Sequence, residues 1–274
     1  MAVTELAEER RPQLLHAASV CSALLDEPDR AGDLAAQLVD LAPEYPLLTE
    51  VLAAWIESLV RTGREREARA AALAERDRWT AGNFRREPID FLAASAAFRL
   101  GQYGAAGLEF EAYLFQYPRG SRRSEAAYSR AVCHLHQRRW EDALRAFVSL
   151  LADDTAGEWA DGSLYYRAFC LTMTGEDEPA EADLKMLLVA HPESPHRGAA
   201  WNLLGDLRFG EQAWDRAEDM YARAGESGDP AAAAYGAYQR IRIAVAQRQQ
   251  ELALERYAHF REMHADSKEL PEAS

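Results

Sequence analysis

The sequence predicts an all-α protein, an α-solenoid of about seven helix-turn-helix repeats. Three observations carry that expectation. First, alanines recur at Ala31, Ala68, Ala106, Ala143, Ala180, Ala217 and Ala253, in steps of 36 to 38 residues. Second, other columns travel with them. Four residues after each alanine stand Ala35, Ala72, Phe110, Phe147, Leu184, Tyr221 and Tyr257, and three further on Leu38, Glu75, Tyr113, Leu150, Leu187, Ala224 and Phe260. Positions i, i+4 and i+7 share one helix face, so these columns form a packing stripe that only Glu75 interrupts. Third, Gly63, Gly101 and Gly175 stand five residues before three of the alanines, where a tight turn between two helices needs a permissive backbone.

The elements follow in order from that register. Helices are expected near Pro12–Leu25 and Asp29–Ala42 (repeat 12–44), Tyr45–Thr62 and Glu65–Trp79 (45–82), and Pro88–Leu100 and Tyr103–Tyr117 (87–120). Next come Arg122–Gln137 and Trp140–Asp153 (122–156), Trp159–Thr174 and Glu178–His191 (159–193), and Pro195–Arg208 and Trp214–Ala224 (195–229). The last pair is Pro230–Arg248 and Gln250–Ala265 (230–266), followed by a frayed polar tail at 267–274. Each first helix carries, twelve residues before its alanine, Ser19, Ile56, Ala94, Ala131, Ala168, Gly205 or Ile241. Small residues there let the two helices of a repeat approach closely. Twelve residues after the alanine, Pro43, Pro118 and Pro192 mark helix exits, with Thr80, Thr155 and Asp229 at the same place in other repeats. The whole of 1–274 therefore reads as one array.

Composition agrees with a folded domain and excludes several functions. Hydrophobic residues make up 48% of the 274, and charged residues break every apolar stretch before membrane-spanning length. With 31 Lys and Arg against 45 Asp and Glu the net charge is −14, the wrong sign for neutralising phosphates, so no nucleic-acid partner is expected. Cys21, Cys133 and Cys170 are too few and too scattered for a disulfide framework and read as small buried residues. Glu5, Glu8 and Glu9 stand where an export signal would be basic, and Val20 precedes Cys21 where a lipoprotein cleavage site takes a small residue. A cytoplasmic location is expected.

Trp201, Leu204, Gly205, Trp214, Ala217, Tyr221 and Ala224 fall at the spacing of the tetratricopeptide-repeat consensus, as do Gly101, Tyr103, Ala106, Phe110, Tyr113 and Pro118. The chain resembles that family over nearly its whole length, most closely from Ala94 to Ala224. Its period is about three residues longer than usual, as in variants of bacterial envelope and scaffold proteins. The resemblance implies a right-handed superhelix whose first helices line a concave groove. The matching positions here are Phe91, Ser95, Phe98, Tyr128, Val132, Tyr165, Phe169, Asn202 and Asp206. It also implies a non-enzymatic scaffold or adaptor whose partner is a protein or peptide. The clamp lysines of the chaperone-binding subclass have no counterpart, since Lys185 and Lys268 are the only lysines and neither lies on a first helix.

Chemistry-bearing patterns are few. There is no phosphate loop, zinc-protease pair or nucleophile elbow, and no cofactor or metal is expected. His134 and His136, two apart, point about 200° apart around a helix and cannot readily share an ion. Nine acids, Asp153, Asp154, Glu158, Asp161, Glu176, Asp177, Glu178, Glu181 and Asp183, lack calcium-loop spacing and read as a solvated face. Just before them lies a basic zone of Arg119, Arg122, Arg123, Arg130, Arg138, Arg139 and Arg145. Of these, Arg122, Arg123, Arg138 and Arg139 are candidates to dock an acidic partner, the alternative being that they pair with their acidic neighbours. An enzyme site assembled across repeats, or a peptide-sensing regulator, are the alternative functions.

Overall fold

The computed structural model describes residues 10–153 and 157–263, and among them it contains fourteen α-helices and no strand. They are α1 Arg11–Leu24, α2 Pro28–Leu41, α3 Leu48–Arg61, α4 Glu65–Arg76, α5 Glu87–Arg99, α6 Tyr103–Gln116 and α7 Arg123–His136. The remaining seven are α8 Trp140–Asp153, α9 Ala160–Thr174, α10 Asp177–Ala190, α11 Arg197–Gly210, α12 Trp214–Gly225, α13 Pro230–Ala246 and α14 Gln250–Met263. Their contacts fall in two compact units, 1–142 and 143–274. In the first, α1 packs on α2 and α3, α3 on α4 and α5, and α5 on α6 and α7. In the second, α11 packs on α10, α12 and α13, while α9 pairs with α10 and α13 with α14. No helix of the described residues is long and apolar enough to cross a membrane.

The small-residue columns lie where helices meet. All seven anchor alanines are buried, six of them completely. Ser19, Ile56, Ala94, Ala131, Ala168 and Gly205 are buried too, while Ile241 is half-buried. Ser19 adds a polar contact to the close approach, its hydroxyl donating to the Ala31 carbonyl at 2.8 Å. At Gly205 a β-carbon would come within 2.5 Å of the Tyr221 ring, and at Gly236 within 2.7 Å of the Tyr221 carbonyl oxygen. Tyr221 of α12 thus sits between two glycines, one on α11 and one on α13, and is itself 1% exposed. Glu75 keeps its place in an otherwise apolar column by pairing with Arg78.

The turn within each repeat is the same throughout, whatever residue occupies it. Gly63, Gly101 and Gly175 have φ of 74°, 71° and 82°, and Asp26, Arg138, Gln212 and Arg248 hold the same register at 57°, 57°, 60° and 61°. In all seven the next residue donates its N–H to a carbonyl five residues back, from Glu27 to Ser22 through Gln249 to Ala244, at 2.8 to 3.0 Å. Such a bond closes the helix end by satisfying a carbonyl that would otherwise lack a partner.

At several junctions between repeats the chain makes two consecutive turns. Tyr45 donates to Ala42 and Leu48 to Tyr45; Gly120 to Tyr117 and Arg123 to Gly120; Ser194 to His191 and Arg197 to Ser194. The double turn lengthens these junctions. It also moves two helix starts later than the sequence predicts, to Leu48 instead of Tyr45 and to Arg197 instead of Pro195. Helix α4 ends at Arg76, before the expected Trp79, because Arg78 and Trp79 turn onto Glu75 and Arg76. Asp229 is no exit marker: its carboxylate accepts the Ala231 N–H at 2.9 Å and caps α13, with Pro230 in the first helical position. Thr155 and Asp154 lie outside the described residues, as do 264–274. One cysteine departs from expectation: Cys133 and Cys170 are buried, with thiols pushed up to about 12 and about 11 by burial, but Cys21 is exposed on α1.

Two ties join successive second helices by the same geometry with the charges exchanged. Arg69, one residue after its alanine, makes a two-bond pair with Glu109 at 2.9 Å and donates to the Ala93 carbonyl. Arg256, three residues after its alanine, pairs with Glu218 at 2.6 Å and donates to the Arg240 carbonyl. Each arginine therefore holds three helices.

A non-glycine residue in the left-handed region costs about 1 kcal/mol, partly offset by the greater unfolded-state freedom of glycine. Gln212→Gly is expected to raise the stability of the protein by about 0.5 kcal/mol, and Gly175→Ala to lower it by about 1 kcal/mol. Urea titrations of the two variants read both signs.

Candidate functional site

Of the first-helix residues that the sequence places in a groove, those in the second unit converge. Tyr165 and Phe169 on α9, Asn202 and Asp206 on α11 and Tyr235 on α13 line one recess of about 340 Å³, with Leu203 and Asp229 beside them. Positions 165 and 169, and 202 and 206, are four apart and so share a face on their helices. The Asp206 carboxylate accepts from the Tyr221 hydroxyl at 2.7 Å and from the Tyr235 hydroxyl at 2.9 Å. Burial pushes the Asp206 pKa up, while the two tyrosine donors and the charge of Arg242 pull it down. Tyr165 is pushed up to about 12, chiefly by burial. Asn202, 6% exposed, donates to the Ala232 carbonyl at 2.9 Å, and its own side-chain oxygen has no hydrogen-bond partner. His196 stacks on Tyr165 with ring centroids 5.1 Å apart and planes 10° from parallel.

In the first unit the corresponding residues divide between surface and interior. Phe91 is 2% exposed, lying 5.9 Å from the Phe110 ring and 5.7 Å from Tyr113, and it belongs to the core. Val132 is buried as well. Ser95, Phe98 and Tyr128 are half-buried, with Phe98 edge-on to Tyr103 at 5.5 Å.

No family model matches the chain, and no curated protein matches it; its likeness is to solved structures. A tetratricopeptide repeat protein from Parabacteroides merdae is 18% identical with a TM-score of 0.67, covering 94% of this chain and 95% of its own. PilW, a type IV pilus biogenesis factor, is 18% identical with a TM-score of 0.65, covering 81% and 96%. YrrB, described as having an unusual peptide-binding site, is 14% identical with a TM-score of 0.54, covering 70% and 93%. The chain has the tetratricopeptide-repeat fold.

The charged zones of this tetratricopeptide array are partly internal ties. Arg122 pairs with Glu57 and lays its guanidinium 4.9 Å from the Phe91 ring centre, so part of its role is to brace α3 and α5. Arg139 pairs with Asp142 within its own repeat, at 2.7 Å. Arg138 is the exposed left-handed turn residue, and Arg123 is exposed at the start of α7. On the acidic side Asp183 accepts two bonds from Arg167, that from Nε at 2.6 Å, and Glu181 is held by Lys185 and Arg208. Those donors hold the Glu181 carboxyl below its usual value. Asp161 accepts from Ser194 at 2.7 Å. Among the described residues no group of His, Cys, Asp and Glu could hold a metal ion. His134 and His136 diverge: His136 stacks on Tyr103 at 4.0 Å, while the Nδ1 of His134 is buried without a partner.

Sequence reasoning missed Tyr235, Asp229 and His196. Tyr235 belongs to the first turns of the following repeat, outside the column used to find groove positions. Asp229 followed by Pro230 is a helix-start signal that pointed to it.

Burial holds His196 below the usual imidazole value, with Asp161 opposing, and burial does the same to His134. The unfolded chain takes up these protons below about pH 6.5 while the folded chain resists, so their stabilising effect is complete above that pH and is lost on acidification. Melting temperatures should fall from pH 7.5 to pH 5, and His196→Gln should reduce that fall. Parallel pH slopes for the two proteins would refute this assignment.

Proposed function

We propose that the protein is a non-enzymatic interaction module that takes a segment of a partner protein, as an extended peptide or a helix, on the face formed by its first helices. The observation that carries this is the convergence of Tyr165, Phe169, Asn202 and Asp206 in one open recess. Two aromatic rings, a buried amide and a carboxylate form a mixed surface of the kind that gives binding sites both area and orientation. Peptide binding by YrrB, a protein of the same fold, supports the same use of the scaffold. In the first unit Ser95, Phe98 and Tyr128 offer candidate contacts of their own, and Arg122, Arg123, Arg138 and Arg139 steer an acidic stretch of the partner. We place the protein in the cytoplasm, a setting in keeping with its three free thiols.

A photo-reactive side chain introduced at position 169 should capture the partner, whereas one at Phe115, which is 87% exposed on the second helix α6 of its repeat, should not. With the captured partner in hand, Tyr165→Ala is expected to weaken binding about tenfold, as loss of an aromatic anchor does, and Phe115→Ala to leave it within about twofold. Reversing Arg122, Arg123, Arg138 and Arg139 to Glu should slow association and flatten its salt dependence. Capture at position 115 in place of 169 would refute the assigned face.

A further inference from the structure

We propose that the recess between α9, α11 and α13 receives a basic side chain of the partner segment, a lysine or arginine, between its aromatic walls and against the Asp206 carboxylate. This deepens the interaction reading above and rests on it.

The walls and the charge of the recess both select a cation on an apolar stem. Tyr165, Phe169 and Tyr235 supply ring surface, and Leu203, Ala199 and Ala232 line the rest with hydrocarbon. A lysine or arginine buries its methylene stem along such surface and keeps its charged end free for an acceptor. The acceptors present are Asp206 and Asp229. Ring faces add attraction for a guanidinium or ammonium, worth more where water is excluded.

Asp206 is incompletely compensated as it stands. It accepts hydroxyl hydrogen bonds from Tyr221 and Tyr235, and among the described residues it makes no ion pair. Arg242, whose charge acts on it, makes its own contacts elsewhere: its guanidinium lies 4.9 Å from the Phe209 ring centre and donates to Gln239 at 2.8 Å. His196, stacked on Tyr165, is held below the usual imidazole value by burial, so it adds little competing positive charge near pH 7. Asp229 spends one carboxylate oxygen on the Ala231 N–H and keeps the other. A carboxylate drawn out of water with two neutral donors gains most from a charged third partner.

The surrounding unit favours the same sign of ligand. Residues 143–274 contain 23 Asp and Glu against 13 Lys and Arg, whereas 1–142 contain 22 against 18, so the recess lies in the part of the chain that carries most of the negative charge. An acidic side chain would meet two carboxylates and this field. A purely apolar one would displace water from Asp206 and return no compensation.

The experiment pans a phage-displayed library of random twelve-residue peptides against the full chain and against Asp206→Asn, a substitution that keeps the side-chain shape and an oxygen acceptor for the tyrosine donors. The slot predicts enrichment of Lys or Arg at one register position on the wild type and loss of that enrichment on Asp206→Asn. A selected peptide is then resynthesised with citrulline for arginine, or norleucine for lysine, which leaves the protein untouched. Its affinity for the wild type should fall about tenfold, and for Asp206→Asn by less than about threefold. Retained peptides without a basic residue, or equal binding of the neutral peptide, would overturn the slot while leaving the interaction reading intact. No peptide retained by the wild type would overturn both.

Discussion

Tyr221 fills the space that a β-carbon at Gly205 would occupy, and the carbonyl of the same residue fills the space beside Gly236. That double contact fixes how near α11, α12 and α13 can lie. Its hydroxyl then reaches the other way, to the Asp206 carboxylate at the recess. One residue therefore links a close helix approach in the second unit to the recess. The anchor alanines are buried in every repeat, where a larger side chain would have to displace close-packed neighbours.

Around that packing the repeats are joined by polar contacts that cost little to the pattern. The left-handed turn and its backbone bond recur seven times, although only three of the seven residues are glycine. The backbone geometry is set by the two helices it joins and not by the turn residue. The Arg69–Glu109 and Arg256–Glu218 ties likewise keep their geometry when the charges exchange places. In both cases position is repeated and residue type is not.

This explains which parts of the structure were legible in the sequence. The alanine column and the large apolar residues behind it recur by type, so helix number, order and most boundaries followed directly. Asp26, Arg138, Gln212 and Arg248 gave no signal of their left-handed conformation, because each is tolerated there only through its neighbours. Phe91 and Tyr165 occupy comparable places on first helices, yet Phe91 is closed over by Phe110, Tyr113 and Arg122 while Tyr165 lines a recess. Periodicity names a helix face; it does not say how deep the neighbouring helix lies. For the same reason Tyr235, supplied by the next repeat, was invisible to a search made one repeat at a time.

Close approach at small residues, above all Gly205 against Tyr221, holds the helices of the second unit and shapes the recess. Measuring the stability effect of Gly205→Ala in the wild type and in a Tyr221→Ala background tests it most directly. The two backgrounds should respond with opposite signs. In the wild type the new methyl group meets the ring, and stability should fall by about 1 to 2 kcal/mol despite the better helix propensity of alanine. With the ring removed, that propensity should prevail and the substitution should stabilise by up to about 1 kcal/mol. An equal change in both backgrounds would contradict the claim.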